Sequence, residues 1–210
     1  DGSEVELPAA PAGLSYVVDG IDVNAGATLA LSPGVLMKFN EGGYLSTEGR
    51  LDALGTPERP VIFTSIRDDG VGGDTNADHT VTAPFRGDWA NLSFLPGSSG
   101  TMQHCTARYG GGETWWWWDG ATLLVNGTCT ASDCAIEQSS TDGLRAGDGA
   151  HLTLARGHVA DNARSGVVLV GTAVATLTGN RISANASDGV SVSGDAQANL
   201  GNLTNGDAAD

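Results

Sequence analysis

Four consecutive tryptophans, Trp115, Trp116, Trp117 and Trp118, stand in the stretch GGETWWWWDG and supply four of the five tryptophans in the chain. An indole ring has a large apolar face, on which the apolar face of a pyranose ring can stack while the sugar hydroxyls stay hydrated. Neighbouring side chains of an extended segment point to opposite sides, so alternate tryptophans form two sets. We expect one set to bind sugar rings while the other covers the flank of the fold.

Three residues beside the quartet have the right chemistry to bind sugar hydroxyls. Glu113 and Asp119 offer carboxylate oxygens, and Tyr109 offers a phenolic hydroxyl that both donates and accepts hydrogen bonds. The quartet together with Tyr109, Glu113 and Asp119 is therefore the candidate carbohydrate-binding site. The fifth tryptophan, Trp89 in the phrase GDWANL, is predicted to be structural.

A second group of candidate ligands lies in the stretch RDDGVGGDTNADHT, residues 67–80. Asp74, Asn76 and Asp78 have the D-x-N-x-D spacing that opens a calcium loop built from oxygen ligands. His79 follows where such loops carry glycine, and no glutamate stands at the closing position. The spacing gives a candidate structural calcium site at these three residues, with a solvated acidic loop as the alternative. No cofactor is required by this reading.

The charge of the chain limits its partners. Among 210 residues, 25 side chains are acidic and 10 are basic, which gives a formal net charge of −15. Such a surface repels nucleic acid, anionic membranes and polyanionic sugars such as pectate, whereas a neutral polysaccharide meets no such repulsion. No run of about 18 apolar residues occurs, so no segment is predicted to span a membrane. A neutral polysaccharide is the partner that this charge favours.

The second half of the chain repeats with a fixed period. Segments that begin at Thr128, His151 and Val174 each start 23 residues after the one before. Matching positions carry similar residues, among them the series Ile136, Val159 and Ile182 and the series Gly143, Gly166 and Gly189. A fixed short period with alternating apolar residues and Gly, Asn and Asp turns is typical of a solenoid.

Each period is too short for two helices and fits three short strands with their turns, stacked on neighbouring coils as parallel sheets. The alternation predicts that five residues of the middle segment point inward: Leu152, Leu154, Val159, Val167 and Leu169. Parallel crossovers are almost always right-handed. The sequence thus predicts an all-β protein, a right-handed parallel β-helix (β-solenoid) with coils of about 23 residues.

The same period locates the tryptophans. Cys134 stands 8 residues before Asp142, whereas Cys105, its counterpart one coil earlier, stands 14 residues before Asp119. Aligning Asp119 with Asp142 gives the earlier coil six extra residues, which fall in GGETWWWW. An insertion in a solenoid loops outward because the stacked interior has no room for it. We therefore predict a loop insertion that carries the tryptophans and projects from one coil.

The chain fits one domain. Residues 1–12 are predicted to be a linker or capping strand, and residues 13–210 a single β-helix domain that is monomeric. The three cysteines form neither a disulfide framework nor a zinc pattern and are predicted to be small buried residues. The absence of an initiating methionine and of a signal peptide is expected of an excised or mature segment.

The phrases of the first half, with GDWANLSF, resemble the opening coils of bacterial secreted and cell-surface β-helix proteins over about residues 15–200. Together with the inserted motif TWWWWD, the acidic solenoid resembles the carbohydrate-binding modules of family 89, which are attached to xylanases of gut bacteria. The resemblance implies that exposed aromatic residues bind xylan-like β-1,4-linked chains without catalysis. It also implies an extracellular location and a catalytic domain in the same polypeptide as partner.

Two other classes of function stay open. A lyase of this fold needs a basic residue to take a proton and a calcium-bridged anionic substrate, and a glycoside hydrolase needs carboxylates that converge on one groove. Basic residues are scattered here, and the column Asp133, Arg156 and Gly179 breaks up a carboxylate cluster. A structural or adhesin segment would explain the fold but not the tryptophan insertion.

Overall fold

The computed structural model describes residues 2–11, 13–79, 81–112 and 120–201. These residues contain twenty strands and no helix, and every pair of neighbouring strands among them is parallel. The strands form one sheet of eight and one of twelve. The twelve-stranded sheet folds over itself at its first coils, so the solenoid has three faces.

Face 1 is the eight-stranded sheet, and each coil contributes one strand to it. In order along the axis, the strands are β1 (Glu4–Leu7), β3 (Thr28–Leu31), β5 (Arg50–Leu54), β8 (Ser99–Gln103), β11 (Thr128–Ser132), β14 (His151–Ala155), β17 (Val174–Thr178) and β20 (Gln197–Asn199). Strand β1 pairs with β3, so part of the segment predicted as linker or capping strand extends this sheet.

Faces 2 and 3 are the two halves of the larger sheet, joined by the long strands β2 (Tyr16–Val23) and β4 (Leu36–Thr47), which pass from one face to the other. Face 2 continues with β6 (Val61–Ser65), β9 (Cys105–Arg108), β12 (Ala135–Glu137), β15 (His158–Ala160) and β18 (Arg181–Ser183). Face 3 continues with β7 (Leu92–Phe94), β10 (Ala121–Val125), β13 (Asp142–Ala146), β16 (Val167–Leu169) and β19 (Val190–Val192).

The observed register confirms the predicted repeat. Thr128 pairs with His151 and His151 with Val174, at the 23-residue spacing read from the sequence. Each coil runs through faces 1, 2 and 3 in turn and then begins the next coil. The all-β fold and the parallel β-helix predicted from the sequence are therefore confirmed.

Apolar side chains on alternate strand positions fill the interior. The five residues predicted to point inward are all buried, with exposed fractions of 2% or less. The three cysteines are buried free thiols, as predicted: Cys105, Cys129 and Cys134. Burial raises the pKa of the Cys129 thiol well above its ordinary value, so this side chain stays neutral in the folded core. Because large residues are few, the core depends on close stacking of small aliphatic side chains.

The turn between faces 2 and 3, here called the 2–3 corner, begins with a residue in the left-handed conformation on three successive coils. Tyr109, Gln138 and Asp161 occupy that position on successive coils, with φ of 66°, 57° and 55°. Asn162 follows Asp161, and its side-chain amide donates to Oδ1 of Asn185, which lies one coil further, at 2.8 Å. Such stacked amides satisfy buried polar groups from coil to coil.

The register corrects the predicted position of the insertion. Asp142 pairs with Ala121 and not with Asp119. The 2–3 corner of this coil therefore holds eight more residues than the next coil, and the following corner, between Val125 and Thr128, holds two fewer than its counterpart. The net difference of six was right, but its distribution was wrong. Strand alternation sets the register, because Leu123 and Val125 must point inward. The repeated Asp-Gly pair suggests a turn by its residue types, but Asp142 and Gly143 open strand β13 and do not set the register.

No helix in the described residues is long and apolar enough to cross a membrane.

Candidate functional site

Two long insertions leave the solenoid at the same corner, on consecutive coils. The first connects β6 to β7 through residues 66–91 and is called the acidic loop. The second connects β9 to β10 through residues 109–120 and is called the tryptophan loop. In the next coil only residues 138–141 separate the strands at this corner. The solenoid thus concentrates its extra residues at one place.

Backbone hydrogen bonds join the two loops at their roots. Gly87 N–H donates to the carbonyl oxygens of Tyr109 and Gly110, both at 3.1 Å. Gly111 N–H donates to Ala90 O at 2.7 Å, and Gly112 N–H donates to the backbone carbonyl of the tryptophan before Ala90 at 2.9 Å. The base of each loop is therefore fixed by the other.

Glycines are required where the tryptophan loop leaves the coil. Gly111 has φ of 80°, and a Cβ placed on it would lie 2.1 Å from Ser139 Oγ. A Cβ on Gly112 would lie 2.6 Å from Gly87 O. Both contacts are far below van der Waals distance, so only glycine fits. Packing thus explains two of the three glycines in the stretch GGG before the quartet.

Most residues predicted to bind carbohydrate lie outside the described residues, namely Glu113, Trp115, Trp116, Trp117, Trp118 and Asp119. Tyr109 is described and half-buried at the root of the loop, with the Arg108 guanidinium 5.5 Å from its ring centroid. Burial raises the pKa of its phenol. The structure therefore places the root of the predicted site and one of its residues.

Trp89 lies directly under this corner and is fully buried, in agreement with its predicted structural role. Its ring stacks on Phe39 with centroids 4.4 Å apart and planes 12° from parallel. Its indole N–H donates to Arg108 O at 2.8 Å. The same residue thus packs the core and holds the backbone that leads into the tryptophan loop.

Two buried carboxylates hold the acidic loop against face 2. Asp68 accepts from the Thr64 hydroxyl at 2.6 Å and pairs with Arg108, whose Nη2 lies 2.6 Å away. Asp88 accepts from the Ser65 hydroxyl at 2.6 Å and pairs with Arg67 Nη1 at 2.5 Å. The side chains of both carboxylates are at most 5% exposed, and each already has a cation and a hydroxyl. Their role is structural.

The candidate calcium ligands lie in the outer part of the acidic loop. Asp74 and Asp78 come together with Asp69, which the spacing argument missed, with one oxygen of each within 4.8 Å of the others. Asn76 lies beside them and donates from Nδ2 to Asp78 Oδ2 at 2.8 Å. Within the described residues this is the one group of three or more acidic, histidine or cysteine side chains close enough to share a metal ion.

Asp74 and Asp78 already have partners within the loop, whereas Asp69 Oδ1 and Asn76 Oδ1 are buried without a hydrogen-bond partner in the described part of the chain. Asp74 accepts backbone N–H groups of Asp78 and His79 at 3.0 and 2.9 Å. Asp78 accepts from the Thr82 hydroxyl, a bond that lowers the pKa of this carboxyl, and from two backbone N–H groups. Such bonds are typical of aspartates that shape turns.

The only lysine of the chain adds an internal cation to this loop. Lys38 is fully buried on β4, and its ammonium donates to Gly73 O at 2.7 Å. Burial lowers the pKa of Lys38, while the nearby carboxylates of Asp68, Asp69 and Asp74 oppose that shift. The ammonium thus offsets part of the negative charge of the acidic loop.

We expect the fold to be independent of calcium, because backbone amides bind Asp74 and Asp78 and the Lys38 ammonium lies near Asp69 and Asp74. The melting temperature in EDTA should equal that in calcium chloride. A clear rise with calcium would contradict this, because a ligand that binds the native state stabilises it by mass action. Loss of that rise in Asp69→Asn would then assign the ion to these carboxylates.

A second feature with titratable side chains lies at the corner between faces 1 and 2. A surface groove of about 310 Å³ is lined there by His104, Asp133, Arg156 and His158, among others. Arg156 and Asp133 form a bidentate ion pair with N–O distances of 2.8 and 2.6 Å. Within the column that the sequence analysis singled out, Asp133 and Arg156 thus form an ion pair between neighbouring coils.

Sequence reasoning missed three residues of the 2–3 corner. Arg67 and Asp88 are far apart in sequence and give no pattern that would pair them. Phe85 stands among small and polar residues in TAPFRGD and is 58% exposed in the structure. An isolated aromatic residue in a loop was the available signal.

Comparisons with known proteins agree with this architecture. A family model described as the right handed beta helix region matches residues 74–204, more than half of the chain. A search of curated protein sequences and a search of solved structures find no match. Both the coil-by-coil register and the family match describe the same solenoid, and the chain belongs to the right-handed β-helix family.

Proposed function

We propose that this β-helix is a non-catalytic carbohydrate-binding module that binds a neutral plant β-glycan, namely xylan, on the tryptophans of the 2–3 corner. The observation that carries the proposal is the concentration of four tryptophans in one insertion. Large apolar side chains inserted at a solenoid corner cost solubility, and apolar patches of that size usually mark binding sites. The resemblance to xylan-binding modules supports the choice of glycan.

The surroundings of the corner support a neutral ligand. The formal net charge of −15 disfavours polyanions, and the two buried carboxylates at the corner are already paired with arginines. Stacking and hydrogen bonds to an uncharged chain release few counterions, so binding should change little with salt. We further propose that the module is secreted and monomeric and acts beside a catalytic domain of the same polypeptide.

The test is affinity electrophoresis or calorimetry with xylan, β-glucan and pectate. Wild type is compared with Trp115→Ala, Trp116→Ala, Trp117→Ala and Trp118→Ala. We expect binding to a neutral glycan, a loss of about tenfold or more in one alternating pair of variants, and no binding to pectate.

Two results would contradict the proposal. If the folded wild-type protein binds none of the neutral glycans, a structural or adhesin segment would be the better explanation of the fold. Release of reducing ends or unsaturated products from a polysaccharide would identify a hydrolase or a lyase.

A further inference from the structure

Phe85 is exposed in a chain that buries its other phenylalanines. Its exposed fraction is 58%, whereas Phe39, Phe63 and Phe94 are each 0% exposed. A phenylalanine that stays on the surface of an otherwise well-packed fold loses the free energy of burial. That cost is offset where the ring contacts a ligand.

The backbone of Phe85 is held in one place by the core of the corner. Its N–H donates to Asp88 Oδ2 at 3.1 Å, and its carbonyl accepts from Asp88 N–H at 3.3 Å. Asp88 is itself fixed by Ser65 and Arg67. An exposed ring on a fixed backbone loses little conformational entropy when it binds, which favours recognition.

One charged side chain covers a face of the Phe85 ring. The Arg67 guanidinium carbon lies 5.2 Å from the ring centroid. Arg67 Nη2 pairs with Glu41 Oε2 at 3.1 Å, and the Glu41 side chain is 81% exposed. In this group, called the Phe85 cluster and made of Glu41, Arg67 and Phe85, the paired guanidinium supports one face of a ring that stays 58% exposed.

The cluster lies beside the root of the tryptophan loop. Gly87, two residues after Phe85, donates its N–H to Tyr109 and Gly110. The turn that carries Phe85 is thus hydrogen-bonded to the coil from which the tryptophan loop leaves.

We propose that the Phe85 cluster is a second sugar subsite, in which a pyranose ring of a neutral β-glycan stacks on the face of Phe85 opposite Arg67. This inference rests on the proposed function and extends it to residues outside the quartet. An aromatic face stacks on the axial C–H groups of a pyranose ring. The ligand then spans two places at one corner.

The experiment compares wild type, Phe85→Ala and Phe85→Tyr for binding to xylan and to a series of xylo-oligosaccharides of increasing length. Val81→Ala is the matched control, because Val81 is an apolar residue of the same loop and is 82% exposed. We expect Phe85→Ala to weaken xylan binding about tenfold. Phe85→Tyr and Val81→Ala should bind as wild type does.

The series of oligosaccharide lengths distinguishes the loss of one subsite from a general loss of xylan binding. In wild type, affinity should keep rising as the oligosaccharide becomes long enough to reach Phe85. In Phe85→Ala, that rise should stop at a shorter length, because the outer ring gains no contact.

The outcomes distinguish this inference from the proposed function. If wild type binds xylan and Phe85→Ala binds equally well at every length, the subsite is refuted while the proposed function stands. If wild type binds none of the glycans, both fail together. Melting curves should coincide for all variants, because the Phe85 side chain is largely exposed.

Discussion

Replacing Trp89 with alanine should lower the free energy of unfolding by about 3–5 kcal/mol, as large-to-small changes of buried aromatic residues do. The side chain is 0% exposed, so its removal leaves a cavity between faces 2 and 3. The variant also loses the stack on Phe39 and leaves Arg108 O without the indole donor. Chemical denaturation monitored by circular dichroism measures the change.

Trp89→Phe is the matched control for this prediction. It keeps an aromatic ring against Phe39 but removes the indole N–H, so we expect a clearly smaller loss than in the alanine variant. A loss below about 1 kcal/mol in Trp89→Ala would show that the corner collapses into the cavity and that the ring is not a core support.

The second large effect is expected for Asp88→Ala, which should cost about 3 kcal/mol of unfolding free energy. The substitution removes the buried carboxylate that pairs with the Arg67 guanidinium. It also removes the acceptor for the Ser65 hydroxyl and the Phe85 N–H. The estimate stays at the lower end for a buried pair because the Arg67 side chain is 23% exposed.

Glu41→Ala is the control, since Glu41 pairs with the same guanidinium from a side chain that is 81% exposed. Exposed ion pairs contribute about 0–1 kcal/mol, so its unfolding curve should nearly match that of wild type. Equal losses in the two variants would mean that burial does not decide the strength of these pairs at this corner.

The repeat explains why so much of the fold could be predicted. Each coil of a solenoid contacts its neighbours at the same positions, so a residue such as Val159 has an inward counterpart in every coil, and the period alone reveals it. The period alone did not give the correct register at the insertion. Asp119 and Asp142 look alike because both precede glycine, but the inward positions of Leu123 and Leu144 decide the register.

The candidate site could be predicted only in part. The quartet is visible in the sequence as a departure from the period, whereas the acidic loop has no repeated counterpart that would place its residues. Its contact with the tryptophan loop depends on hydrogen bonds between Gly87 and Tyr109, and its shape depends on the pairing of Arg67 with Asp88. Such contacts between distant residues leave no local pattern.

The parallel stacking of coils gives the 2–3 corner a natural unit of length. Neighbouring coils lie about 4.8 Å apart along the axis, close to the roughly 5 Å advance of one sugar unit in an extended β-glycan. The acidic loop and the tryptophan loop leave from consecutive coils, so their roots are one such step apart. If the proposed function holds, a glycan that lies along the axis would therefore advance by about one ring for each coil, and the coil spacing would set the spacing of its subsites.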